Sequence, residues 1–211
     1  AIGGIALDAL TTGNDQVAVG YAALSALTTG ARMTAVGYAA GANSTTASDS
    51  VFVGYDAGVQ NTTGVQNVAV GSYALDANTT GGNNVAMGLH ALGANTDGEH
   101  NNAIGSYALD ANTGGDNNSA FGIHALGGNT TGNNNIAIGQ DSLKANTTGG
   151  QNVAIGNGAL KTSTTTSSVV AIGYQAGNNN TGVQNTFVGH EAGYTHTSGT
   201  DNVYVGYAAG Y

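Results

Sequence analysis

GNNNIAIGQDSLKANTTGGQNVAIGNGAL, residues 132–160, states one pattern twice. Asn leads into a short apolar run closed by Gly; a small residue and Leu follow, then Asn-Thr-Thr-Gly, and the opening returns. Measured from the closing Gly, the pattern fills the chain: Gly3, Gly20, Gly37, Gly54, Gly71, Gly88, Gly105, Gly122, Gly139, Gly156, Gly173, Gly189 and Gly206. Eleven of the twelve intervals are 17 residues, and Gly173 to Gly189 is 16. The shortening falls where Asn-Thr-Thr-Gly becomes Asn180-Thr181-Gly182, in a segment that reads as a turn, where a deletion is best tolerated. Residues 1–211 are therefore one repeat array. Opening and closing inside repeats, it reads as a stretch of a longer fibrous chain.

The columns of this array are sharp. The residue before the key Gly is Val, Ile, Met or Phe in all thirteen copies, and the third after it is Ala except for Ser142. The eighth is Thr in all twelve copies that reach it, among them Thr79, Thr130 and Thr147. Asn precedes the apolar run in eight of twelve, as in Asn84, Asn135 and Asn152. Together with Gly20, Gly71, Gly105, Gly139 and Gly156 these residues mark the structural skeleton of the repeat.

A period this short excludes paired helices and leucine-rich repeats. It suits an all-β fold, a parallel β-solenoid (β-roll) of about twelve 17-residue coils, each of two short strands joined by two turns. Val-Ala-Ile reads as a strand buried on both faces. Asn-Thr-Thr-Gly reads as a turn whose Gly takes positive φ. The Ala-Leu segment fits a second strand or one helical turn. Stacking at about 4.8 Å per coil predicts a rod of roughly 60 Å, with Asn and Thr columns forming hydrogen-bonded ladders along it.

Packing leaves a trace in the sequence. The fourth residue after the key Gly is Leu in eight copies and Gly in five: Gly41, Gly58, Gly177, Gly193 and Gly210. In those five the first residue after the key Gly is Tyr38, Tyr55, Tyr174, His190 or Tyr207, which predicts that a ring there fills the space Leu leaves. One coil offers few large side chains, so a single thin solenoid has a poor core. The Ala within the strand adds a second apolar face, which predicts chains packed about a common axis as a homotrimer; a dimer is the other arrangement.

Asn-Val-Ala-Ile-Gly at 152–156, followed by Ala-Leu and a polar turn, resembles the head repeats of YadA-like trimeric autotransporter adhesins. It is also similar to the Asn-Thr-Thr-Gly-rich arrays of bacteriophage tail fibres and bacterial surface fibres. The resemblance covers essentially the whole chain and implies a left-handed parallel β-roll, intertwined as a trimer, that holds a binding tip away from a cell or virion. The coil is longer than those heads usually carry.

Composition narrows the function. Three basic residues, Arg32, Lys144 and Lys161, in a chain of net charge -9 give no footprint for nucleic acid. There is no Cys, so no disulfide framework, and no apolar run long enough to insert in a membrane. No nucleophile elbow, phosphate loop or zinc spacing occurs, so neither an enzyme nor a cofactor is expected. His90 and His124 lie two coils apart, too far to share a metal ion. The acidic turns at 96–99 and 114–118 lack the calcium nonapeptide, so a metal site is not expected there. Tyr73, His90, Tyr107 and His124 fall in one column, the second after the key Gly: an exposed aromatic strip able to bind a glycan, or a ladder that only steadies the stack. Asn-x-Ser/Thr sequons at Asn43, Asn61, Asn78, Asn117, Asn129, Asn146 and Asn179 follow from composition. The expected function is a structural fibre or adhesin segment, extracellular on a cell surface or virion. Its partners would be its own copies and a host-surface glycan or protein. The alternatives are the subunit of a self-assembling filament and an ice-binding solenoid.

Overall fold

The computed structural model describes residues 1–211. It contains twelve strands of three residues, β1 (Val17–Val19) to β12 (Val203–Val205), and no helix. They form one parallel sheet in sequence order, each pairing with the strand before and the strand after. Register follows the repeat: Val85 faces Val68 on one side and Asn102 on the other. At the short coil β10 (Val170–Ile172) still meets β11 (Thr186–Val188) in register. The deletion is absorbed outside the strand.

Each coil has one strand rather than two. The segment after the key Gly is neither strand nor helix but a run of tight turns with left-handed residues at alternate positions. In the coil of Gly88, His90 has φ 53° and Leu92 φ 54°, with a third left-handed residue at His100, φ 59°. Such φ values cost an L-residue roughly 1–2 kcal/mol, least for Asn and Asp and most for β-branched side chains. Val and Thr are absent from these three columns, and Ile occurs only at Ile5, in the first coil.

The alternating conformation turns backbone amides up and down in succession, which joins coils around the perimeter. His90 N donates back to Ser72 O (3.1 Å). Leu92, Ala94 and Thr96 N donate forward to Ala108, Asp110 and Thr113 O, all at 2.9 Å. Of 141 backbone hydrogen bonds only 22 lie within the strands. The key Gly also belongs to this close stacking: it has φ between 122° and 142° where a coil follows it, and a Cβ on Gly105 would fall 2.6 Å from Gly122 O. Only glycine fits that column.

The strand is not buried on both faces. Its middle residue, Ala in most coils, points inward and is fully buried, while the Val and Ile on either side point outward and stay partly exposed. Where Leu stands in the turn segment, the interior of one coil has room for little more than Ala on the strand, Ala and Leu from the turn segment, and two Asn. Val and Ile are therefore left outside, the reverse of the arrangement the sequence suggests.

The volume exchange at the fourth position is present, but its partner is different. Phe52 and Phe187, fully buried, and the half-buried Tyr204 replace Ala in the middle of their strands. Gly41 and Gly58 flank Phe52; Gly177 and Gly193 flank Phe187; Gly210 lies against Tyr204. Tyr38, Tyr55 and Tyr174 fill no core space: they are 49%, 46% and 45% exposed.

The polar end of the interior holds two Asn ladders. In the column before the strand, Asn84 Oδ1 accepts from Asn101 N (2.9 Å), and Asn84 Nδ2 donates to Gly98 O (2.9 Å). In the seventh column after the key Gly, Asn95 Nδ2 donates to Asn78 Oδ1 (2.7 Å) and Gly98 O (3.0 Å). This ladder runs from Asn61 to Asn146, and every member is fully buried. The Gly of Asn-Thr-Thr-Gly serves close approach rather than positive φ: a Cβ on Gly81 would fall 2.4 Å from Gly98 O and 2.7 Å from Asn78 Oδ1.

Candidate functional site

The surface carries no pocket, and nowhere do three or more His, Asp or Glu side chains converge to hold a metal ion. No helix is long and apolar enough to cross a membrane. What can act on a partner is the outside of the coil, and it divides into faces of different chemistry.

The first face is the outer side of the sheet. Its two strand columns and the column just after the key Gly hold Val, Ile, Met, Leu, Phe and Tyr with a few Ser, Thr, Asn, Gln and one His, His190; no Asp, Glu, Lys or Arg occurs in any coil. Ile104, Phe121, Ile138 and Ile172 are each 37–39% exposed. Every charge of the chain lies on the other walls.

The aromatic column is the second feature. Tyr73, His90, Tyr107 and His124 stack face to face, with ring centroids 4.9, 5.4 and 5.1 Å apart. The ladder is longer than one column. Tyr21, Tyr38 and Tyr55, one position earlier in their coils, stack at 5.4 and 5.2 Å, and Tyr55 meets Tyr73 edge-on at 5.3 Å. Seven rings thus run along one corner of the rod. Their faces are covered by one another, so the outer edges, with phenol oxygens and imidazole nitrogens, are what a partner would meet; a sugar ring stacking on a face would have to displace a neighbour.

Beside it lies a charged strip five residues after the key Gly. Burial pushes the carboxyls of Asp76 and Asp110 above their ordinary range, partly offset by His90 next to both. On the following coils Asp141 pairs with Lys144 (3.0 Å) and Lys161 (3.2 Å). Burial raises the Asp141 carboxyl, but the two ammonium groups outweigh it and hold it below the usual value.

The Thr column is occupied by the stack itself. Thr79, Thr130 and Thr147 Oγ1 donate to Thr96, Thr147 and Thr164 O at 2.9, 2.9 and 3.0 Å. The two acidic turns lie on adjacent coils, where Glu99 N donates to Asp116 Oδ1 (2.8 Å). Of the sequons, Asn61, Asn78, Asn129 and Asn146 are members of the buried ladder, while Asn43 and Asn117 are exposed.

The seventh-column ladder was missed at the sequence level, although a signal was present: Asn61, Asn78, Asn95, Asn112, Asn129 and Asn146 each accompany an Asn six residues on, whereas Leu27 accompanies Met33 and Ser44 accompanies Ser50. No protein-family model, curated protein or solved structure matches this chain.

Proposed function

We propose that the chain is a rigid spacer segment of an extracellular fibre, on a cell surface or virion, whose copies associate through the outer side of the sheet as a homotrimer. The observation that carries this reading is the charge-free apolar face running the length of the rod. Twelve strands at about 4.8 Å, with a width of roughly five residues, give about 50 Å by 15 Å, or some 750 Å². A stable interface buries about 800 Å² per partner, and isolated proteins rarely expose an apolar patch so large. The ridges of Val and Ile recur at the strand spacing, a corrugation that another copy of the same rod can mesh. Stiffness comes from hydrogen bonds on every side of the coil and from the buried Asn ladders. Repetition lets weak contacts to a host-surface glycan or protein add by avidity.

Light scattering with negative-stain microscopy tests this. The expected result is a discrete species of three chains and a rod of about 50 Å. Ile155→Lys with Ile172→Lys should yield single chains with an unchanged circular dichroism spectrum. A wild-type monomer would overturn the reading and favour the ice-binding alternative; open-ended growth would favour the self-assembling filament.

A further inference from the structure

We propose that the tyrosine part of the aromatic ladder is a site of oxidative cross-linking, at which a peroxide, acting through a haem peroxidase, joins neighbouring coils by carbon–carbon bonds. Tyr21, Tyr38 and Tyr55 are 53%, 49% and 46% exposed in the single chain, at the corner edging the face through which copies would associate, so an oxidant reaches them before assembly. Their rings are nearly parallel, at 16° and 8°, with centroids 5.4 and 5.2 Å apart. The stack presents each phenol to the next before any reaction occurs, and proximity of this kind is what makes radical pairing between two side chains efficient.

The step balances. Each of two phenols gives up one electron and one proton to become a phenoxyl radical; the radicals join through the carbons ortho to oxygen, and each joined carbon passes its proton to its own oxygen. Two hydrogens leave the protein, and one peroxide molecule takes them up as two molecules of water. The new bond ties residues 17 apart, so it closes one coil onto the next.

The ladder contains its own control. His90 separates Tyr73 from Tyr107, and His190 separates Tyr174 from Tyr207. Those tyrosines lie two coils apart, about 10 Å, beyond bonding reach. Coupling is therefore confined to the Tyr21–Tyr73 stretch and to Tyr194 with Tyr211, whose rings stack at 5.9 Å.

The distribution of basic residues makes the product easy to read. Trypsin cuts only after Arg32, Lys144 and Lys161, so Tyr21 and Tyr38 fall in different peptides, 1–32 and 33–144. After treatment with hydrogen peroxide and a haem peroxidase, the single-chain band of a denaturing gel should release these two peptides covalently joined and two hydrogens lighter. Tyr21→Phe and Tyr38→Phe should each abolish the joined pair. Both keep an exposed ring in the stack, and an unchanged circular dichroism spectrum verifies the fold. His190→Tyr should add a coupling within peptide 162–211. A joined pair found only in bands of two or more chains, one that survives Tyr38→Phe, or tyrosine loss without any joined pair would overturn the proposal.

Discussion

Phe52 and Gly58 share one volume: a methyl group on Gly58 would stand 2.5 Å from the Phe52 ring, and one on Gly41, on the other side, 2.7 Å. The coil that carries a strand Phe and the coil before it have Gly at this position, where coils away from such a ring have Leu. Phe52→Ala should cost about 3–5 kcal/mol, the usual range for a buried ring. Adding Gly41→Leu and Gly58→Leu rebuilds the common packing and should return most of that loss. Urea unfolding of the single and triple variants checks this.

The Asn ladders give a second expectation. Asn101 Oδ1 accepts from Asn118 N at 3.0 Å, and Asn101 Nδ2 reaches Gly115 O at 2.7 Å. Asn101→Ala strands a buried amide and leaves a void, so a loss of about 2–3 kcal/mol is expected. Amide hydrogen exchange at Asn118 should rise before exchange at distant coils.

The seventh-column ladder stops where Asn146 Oδ1, buried and without a donor, meets Ser163 on the next coil. Ser163→Asn alone should not repair it, because Thr166 holds a side chain where ladder coils have Gly. Ser163→Asn with Thr166→Gly supplies both donor and room, and should stabilise by about 1 kcal/mol, the worth of one buried hydrogen bond. Thermal unfolding of the single and double variants decides between them.

Acid should separate the carboxylates into two groups. Asp76 and Asp110 hold their protons more firmly in the folded chain than in the unfolded one. Their contribution favours folding at pH below the ordinary carboxylate value near 4 and is lost as pH rises through their raised values. Asp76→Asn with Asp110→Asn should therefore raise the melting temperature at pH 7, with the gain vanishing near pH 3. Asp141, held low by Lys144 and Lys161, works in the opposite direction, and Asp141→Asn should lower the melting temperature at pH 7 but not in acid. Melting curves across this range check both signs.

Period, parallel order and register were legible because the key Gly column cannot change: backbone of the next coil occupies the space a side chain would need. The inside and outside of the strand were not. Val-Ala-Val carries apolar residues on both faces, so hydrophobicity does not orient it; the width of the interior does, and that width is a property of the whole coil. Tyr38 and Tyr55 misled for a related reason. They accompany Gly41 and Gly58, yet the ring that needs those glycines is Phe52, on a strand between them. Asn-Thr-Thr-Gly hid a buried ladder because Asn is ordinary in turns. The aromatic ladder was only partly visible, since it shifts by one position between Tyr55 and Tyr73 and so leaves its column.

Each strand contacts only the one before and the one after it. Such a molecule works as a measuring stick: adding or removing a coil changes its length by one fixed increment and disturbs no distant packing. Under tension its coils stand in series, so the load it survives is set by its weakest junction rather than by the sum of all of them.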